Sequence, residues 1–188
     1  MNVHSYMSES TKNKKAHIVQ TAMILFSEQG YNHTSVKMIA QSAGVSQGLM
    51  YNFFSGKEDL LKYIFQLSLE DIAGSLQPPG IVPGTLEALK QYLQFTFQMI
   101  DEKREFWRLI HAVRMQESIQ ELLKEEFTQM QTYIIGQLTA YLQPLNLPET
   151  ETEVRLLFAT IDGIAGHLLL DPQYPIQSVI NHLMKRYE

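Results

Sequence analysis

Apolar side chains return every third or fourth position through most of the chain. The blocks are Ile18, Ala22, Leu25 and Phe26; then Leu86, Leu89, Leu93, Phe97 and Ile100; then Ile119, Leu123, Phe127, Met130, Ile134 and Leu138. That spacing follows the α-helical turn, on which positions three and four apart share a face. Clusters of proline and glycine at QPPGIVPG (77–84), QPLNLP (143–148) and DPQYP (171–175) interrupt the blocks and mark turns. The one strand-like run, TYIIG at 132–136, lies inside a helical stripe and has no partner strand nearby. The pattern predicts an all-α protein.

The polar first ten residues are expected to be loose. A helix over about 12–29 ends at Gly30, a residue suited to the left-handed position that closes helices. Thr34 and Ser35 offer caps for a second helix that stops at Gly44, and Ser46 caps a short third one. Ser55-Gly56-Lys57-Glu58 has the S-x-x-E form of a capping box, which starts a fourth helix running to about Leu76. Further helices are expected over about 85–100, through Phe106 to Met115, through Phe127 to Tyr133, and over about 150–170 and 176–187. The total is about nine. The expected division is residues 1–56 as a three-helix amino-terminal domain and residues 57–188 as a larger helical domain, joined by the fourth helix.

Two short helices separated by Gly44-Val45, the second opening on a small polar residue, have the form of a helix-turn-helix. In that motif the second helix presents its first turns to base edges in the major groove, while amides at helix starts hold phosphates. Charge changes the picture here. The chain totals -5, yet residues 1–57 hold five lysines (Lys12, Lys14, Lys15, Lys37, Lys57) against Glu9 and Glu28, so this segment carries +3 and the remainder -8. The asymmetry points to a polyanion-binding end. Lys37 and Lys57 each stand in the first turn of a helix, where a cation opposes the macrodipole unless an anion is near. Gly48 weakens a helix interior but lets another backbone approach.

Residues 14–61, KKAHIVQTAMILFSEQGYNHTSVKMIAQSAGVSQGLMYNFFSGKEDLL, resemble the amino-terminal domain of the TetR family of bacterial transcriptional regulators. The resemblance rests on Leu25-Phe26, Gly30-Tyr31, Thr34, Ile39-Ala40, Ala43-Gly44-Val45-Ser46, Gly48, Tyr51, Phe54 and Lys57-Glu58. It implies that Tyr51 and Lys57 contact phosphates. It also implies that Thr34 and Ser35 cap the second helix against the backbone, and that Gln47, Gly48 and Asn52 face bases or neighbouring phosphates. With Lys37 and Ser46 these nine are the expected DNA-binding residues. Glutamine and asparagine amides suit bidentate reading of adenine. Two departures stand out: the family often has histidine or tyrosine at the position of Phe53, and a basic residue where this chain has Gln47 or Asn52. Phe54 is expected in the core.

The resemblance further implies a homodimer on a double-stranded operator, with the larger domain binding a small-molecule effector. The segment over 85–100 is apolar on a wide arc, which a core face plus a pocket face would satisfy. Tyr92, Phe95, Met99, Trp107, His111, Met115, Phe127, Met130 and Tyr133 are the expected effector contacts, forming a cavity rich in aromatics and methionine. Ala159, Gly163 and Gly166 share a face of the 150–170 helix, where close packing would offset the weak helix propensity of glycine. Leu156 and Leu170 flank them, and Val179 and Leu183 lie on the final helix. These seven are the expected dimer contacts, in a four-helix interface. Asp162, His167 and Asp171 are the one acid-histidine cluster; only His167 and Asp171 share a helix face, and no nucleophile or third ligand accompanies them, so neither enzyme chemistry nor a metal or cofactor is expected. The absence of cysteine and of any long apolar run fits a cytoplasmic protein without a membrane span.

Overall fold

The computed structural model describes residues 9–75, 78 and 80–188. Ten α-helices run through them: α1 (Glu9–Gln29), α2 (Val36–Ser42), α3 (Gln47–Phe53), α4 (Lys57–Ser75), α5 (Leu86–Glu102), α6 (Arg104–Val113), α7 (Glu117–Leu122), α8 (Lys124–Leu142), α9 (Thr150–Leu170) and α10 (Ile176–Met184). A single 3₁₀ turn, Gln143–Leu145, follows α8, and no strand occurs among the described residues. The fold is all-α, as the periodicity requires, and TYIIG is helical within α8.

Differences from the sequence expectation are local. α1 already includes Glu9 and Ser10; the rest of the first ten residues, Met1 to Ser8, and Leu76 at the expected end of α4 lie outside the described residues. The apolar stripe through Ile119, Leu123 and Phe127 is divided between α7 and α8 at Leu123, whose backbone leaves helical geometry at φ -112 and ψ 20. Leu123 is fully buried, and the amide of Phe127 still donates to its carbonyl at 2.8 Å. The apolar spacing continues in register across the break, so periodicity does not reveal it. The expected capping box is also displaced by one residue. α4 begins at Lys57, and the carboxylate of Asp59, not Glu58, accepts from the amide and hydroxyl of Ser55 at 2.8 and 3.2 Å.

The chain forms two compact units. The first comprises the residues up to Leu67 together with Leu109–Leu122; the second comprises Ser68–Arg108 and Leu123–Glu188. The boundary therefore lies beyond residue 56, for a physical reason. One long and two short helices enclose too little apolar surface to be stable alone, and the first turns of α4 supply Leu60, Leu61, Ile64 and Phe65, each no more than 1% exposed. Ile18, Ala22, Phe26 and Ile39 complete that core.

In the second unit α8 packs along α9, α10 packs on α5, and α5 also meets α8 and α9. Leu89, Leu93, Leu138 and Leu142 are fully buried at its centre. Arg104 donates from Nη1 to the carbonyls of Leu168 and Leu169, both at 3.1 Å, and pairs with Asp101. A cation is thus placed where the last carbonyls of α9 have no helical partner. At the other end of α9, Glu153 accepts from Arg186 Nε and Nη2 at 2.9 and 3.1 Å and from the hydroxyl of Tyr187 at 3.1 Å. This clasp ties the chain end to the first turn of α9.

The bonds from Arg186 hold the Glu153 carboxyl below the usual carboxylate range. A group with a depressed folded-state pKa stabilises fully above its unfolded value and loses that contribution as pH falls through the lowered one. Glu153→Gln is accordingly expected to melt below the parent at pH 7, with the difference in Tm narrowing towards about pH 3. A difference independent of pH, read by thermal melts across that range, would contradict the clasp.

Candidate nucleic-acid interface

The turn between α1 and α2 begins at Gly30, whose φ of +88 closes α1 in the left-handed region. Tyr31 then turns inward, 5% exposed, with its ring 5.0 Å from that of Phe26. Thr34 is 2% exposed, and its hydroxyl donates back to the carbonyls of Gly30 at 2.9 Å and Leu25 at 3.3 Å. Ser35 is the N-cap of α2, its hydroxyl accepting from the amide of Met38 at 3.2 Å. Gly44, at φ +63, makes the sharp turn to α3. Ser46 caps α3 in the same way as Ser35, accepting from Leu49 at 3.2 Å.

α3 is held from beneath by Met50 at 1% and Phe54 at 3% exposure. Its other side is open: Gln47, Gly48, Tyr51 and Asn52 are all exposed, Tyr51 to 56%. Around them Ser35, Lys37 and Ser46 are exposed as well. A methyl group at Gly48 would come no closer than 4.0 Å to any neighbour, the Ser46 hydroxyl, so the protein's own packing does not require glycine there. Phe53 is half-buried with its ring 6.4 Å from that of Phe54.

Thr34 is a correction. Its side chain is buried and its hydroxyl is committed to its own backbone, so it shapes the turn and offers nothing to a ligand. Lys57 is half-buried and does not project freely from the start of α4. Its ammonium donates to the carbonyl of Tyr31 at 2.8 Å and lies 4.2 Å from the centroid of the Tyr31 ring. Two of its three N–H groups remain for a further acceptor. Lys15 is likewise engaged, 3.7 Å over Tyr63 and 5.3 Å from Phe54. Sequence reasoning missed Tyr31 and Tyr63 as seats for these cations, because the partners stand 26 and 48 positions apart and no local spacing signals them. It also missed Asn32, whose amide donates to Gln116 at 3.1 Å and joins the turn to the Leu109–Leu122 segment of the same unit.

The expected effector contacts are divided. Tyr92, Met99 and Trp107 are buried in the second unit, while Phe95, Phe127, Met130 and Tyr133 there are half-buried. Tyr92 stacks on Tyr141 at 4.4 Å, and burial pushes its hydroxyl up to about 12, so it stays protonated. His111 and Met115 belong to the first unit. Met115 is a second correction: α6 ends at Val113, the helical stripe does not extend to Met115, and this side chain is 80% exposed. An open groove of about 710 Å³ runs between α8 and α9, lined by Gln131, Thr132, Ile135, Thr139, Val154 and Phe158 among others, and it includes none of the nine expected contacts.

α9 has two apolar faces. Val154, Leu157, Ile161, Ile164, Leu168 and Leu169 are buried, whereas Leu156 at 43%, Ala159, Gly163 and Leu170 at 82% are exposed. Gly166, Val179 and Leu183 are half-buried. A side-chain atom at Gly163 would meet nothing within 4 Å, so its own chain gives no reason for its small size.

Residues 18–64 match the model of a family described as bacterial regulatory proteins, tetR family. Over its longer reach the chain is 28% identical to the probable HTH-type transcriptional regulator YttP of Bacillus subtilis, across 78% of this chain and 68% of that one. A TetR-like transcriptional regulator from Rhodococcus sp. RHA1 superposes with a TM-score of 0.76 at 18% identity, covering 93% of each chain. The regulator FadR of Bacillus subtilis, solved in complex with stearoyl-CoA, superposes at 0.70 and 20% identity, covering 92% of this chain and 96% of that one.

The burial of Thr34 has a measurable consequence. Thr34→Val keeps the shape but removes the donor to Gly30, and is expected to lower stability by about 1 kcal/mol in urea unfolding. An unchanged midpoint would show that the hydroxyl does not hold the turn.

Proposed function

Since the chain belongs, by its residues 18–64, to the TetR family of bacterial regulatory proteins and is a DNA-binding transcriptional regulator, we propose that it acts as a homodimeric repressor. A small, largely apolar or aromatic effector would release it from a palindromic operator. The observation that carries the DNA-facing part is the division of α3 and its C-cap into an anchored side, Met50 and Phe54, and an exposed side of Gln47, Gly48, Tyr51 and Asn52. The exposed side holds no charge, so base-edge contacts fall to the two amides. The phosphates fall to the Tyr51 hydroxyl, Lys37, the free donors of Lys57 and the amides that open α2 and α3. Gly48 leaves room for a sugar-phosphate backbone against the helix.

Tyr51→Phe is expected to weaken binding on all sequences. Lys57→Ala should do so while lowering the slope of log K against log salt by about 1 to 2 per dimer. Gln47→Ala should change base preference, with a smaller effect on the slope. These are read by salt titrations on DNA recovered by in vitro selection; unchanged affinity for both Tyr51→Phe and Lys57→Ala would contradict the phosphate assignment.

The exposed apolar face of α9 supports the dimer. Leu156, Ala159, Gly163 and Leu170 leave a strip that a symmetry-related α9 covers, with Val179 and Leu183 of α10 beside it. Gly163→Leu separates two outcomes. In a monomer the substitution meets open space and gains helix propensity, raising stability by up to about 1 kcal/mol. In the proposed dimer it obstructs the contact, and sedimentation should show dissociation with loss of operator affinity. A stable dimer with unaltered binding would remove α9 from the interface. For the effector, the buried aromatic residues of the second unit support an apolar ligand, and the stearoyl-CoA bound by the Bacillus subtilis regulator makes an acyl thioester a rational first probe.

A further inference from the structure

Trp107 is the chain's single tryptophan. It lies on α6 within the second unit, 9% exposed, edge-on to Phe106 with ring centroids 5.4 Å apart. Its Nε1 is buried and has no hydrogen-bond partner among the described residues. An indole N–H can only donate, and buried tryptophans normally find an acceptor because leaving the donor unbonded is costly. Thr96, the buried threonine of this unit, is satisfied: its hydroxyl donates to the carbonyl of Tyr92 at 2.9 Å.

Filling apolar volume does not explain an indole here. The chain uses phenylalanine nine times, and Phe97 and Phe106 fill core positions without bringing a donor. An acceptor brought in by a ligand would satisfy the donor.

We propose that Trp107 Nε1 donates a hydrogen bond to a carbonyl or carboxylate oxygen of the effector. The ligand is then an apolar molecule carrying an oxygen acceptor, and a plain hydrocarbon is a poorer one. This rests on the reading of the second unit as the effector domain. Shape complementarity selects the apolar part, and the indole fixes its register, since an analogue lacking the oxygen leaves the donor unpaired.

Because the chain holds one tryptophan, its indole resonance and its fluorescence each report on this position alone. The test uses two probes of matched length, methyl octanoate and decane. The full chain is compared with protein in which Trp107 is replaced by β-(3-benzothienyl)alanine, which keeps the ring outline and lacks the N–H; Trp107→Phe is a second comparison. In the parent, methyl octanoate should move the indole proton resonance downfield and bind about tenfold more tightly than decane. In the benzothienyl protein that preference should vanish, while the unliganded protein melts no lower than the parent. If both probes bind the parent equally and leave the indole resonance in place, or if the benzothienyl protein keeps the preference, the inference falls and the effector-domain reading stands. A benzothienyl protein that melts well below the parent without ligand would show the donor already bonded, and also overturns the inference. Failure of both probes to bind would overturn the inference together with the effector-domain reading.

Discussion

The ammonium of Lys57 rests on Tyr31, 2.8 Å from its carbonyl and 4.2 Å from its ring centroid, and this contact closes the helix-turn-helix onto the helix that leads out of it. A half-buried cation over an aromatic face is worth about 0.5 to 2 kcal/mol, and the charged hydrogen bond adds to it. It also settles the conflict that the sequence poses, a cation in the first turn of α4. Glu58 and Asp59 answer the helix dipole, and the lysine is drawn across to the turn before α2. Tyr31, Thr34 and Lys57 together fix the α1–α2 turn, and the short α2 and α3 inherit their placement from it. A seven-residue helix such as α3 has little stability alone, so its exposed face is only as well defined as the packing beneath it.

Much of this architecture was legible because it is written in local spacing. The helices recur at three and four, the caps Ser35 and Ser46 precede their helices by one residue, and Gly30 and Gly44 stand where the backbone turns left-handed. α9 occupies the expected Thr150–Leu170. Where an outcome depended on burial, on where a helix ends or on residues far apart, spacing was silent. Thr34 read as a cap and a contact, and burial between Gly30 and Leu25 made it neither exposed nor the cap. Met115 read as part of a stripe, and the end of α6 at Val113 placed it outside. Lys57 read as a phosphate contact and Lys15 as part of the positive segment, and aromatic rings far along the chain receive both ammonium groups.

The second unit shows the same limit in another form. Periodicity picks out the small-residue face of α9 but does not say whether its own chain covers it. The structure leaves the small-residue face open at Gly163 and buries the opposite one. An open strip bearing Leu156 and Leu170 on a helix that Arg104 and the Glu153 clasp fix at both ends has the rigidity that a symmetric contact needs. The division of units carries a related lesson: Leu109–Leu122 belongs with the first unit although it lies far from it in sequence, and α4 and α6 are each shared between the two.

We propose that two copies of this neutral α3 face read DNA together, with sequence carried by amides and affinity by a few phosphate contacts. Footprinting on DNA recovered by selection from random duplexes tests it most directly. The account predicts an inverted repeat, with protected half-sites whose centres lie about one helical turn, or a small multiple of it, apart. Recovery of a single asymmetric site, or of duplexes sharing no sequence, would contradict it.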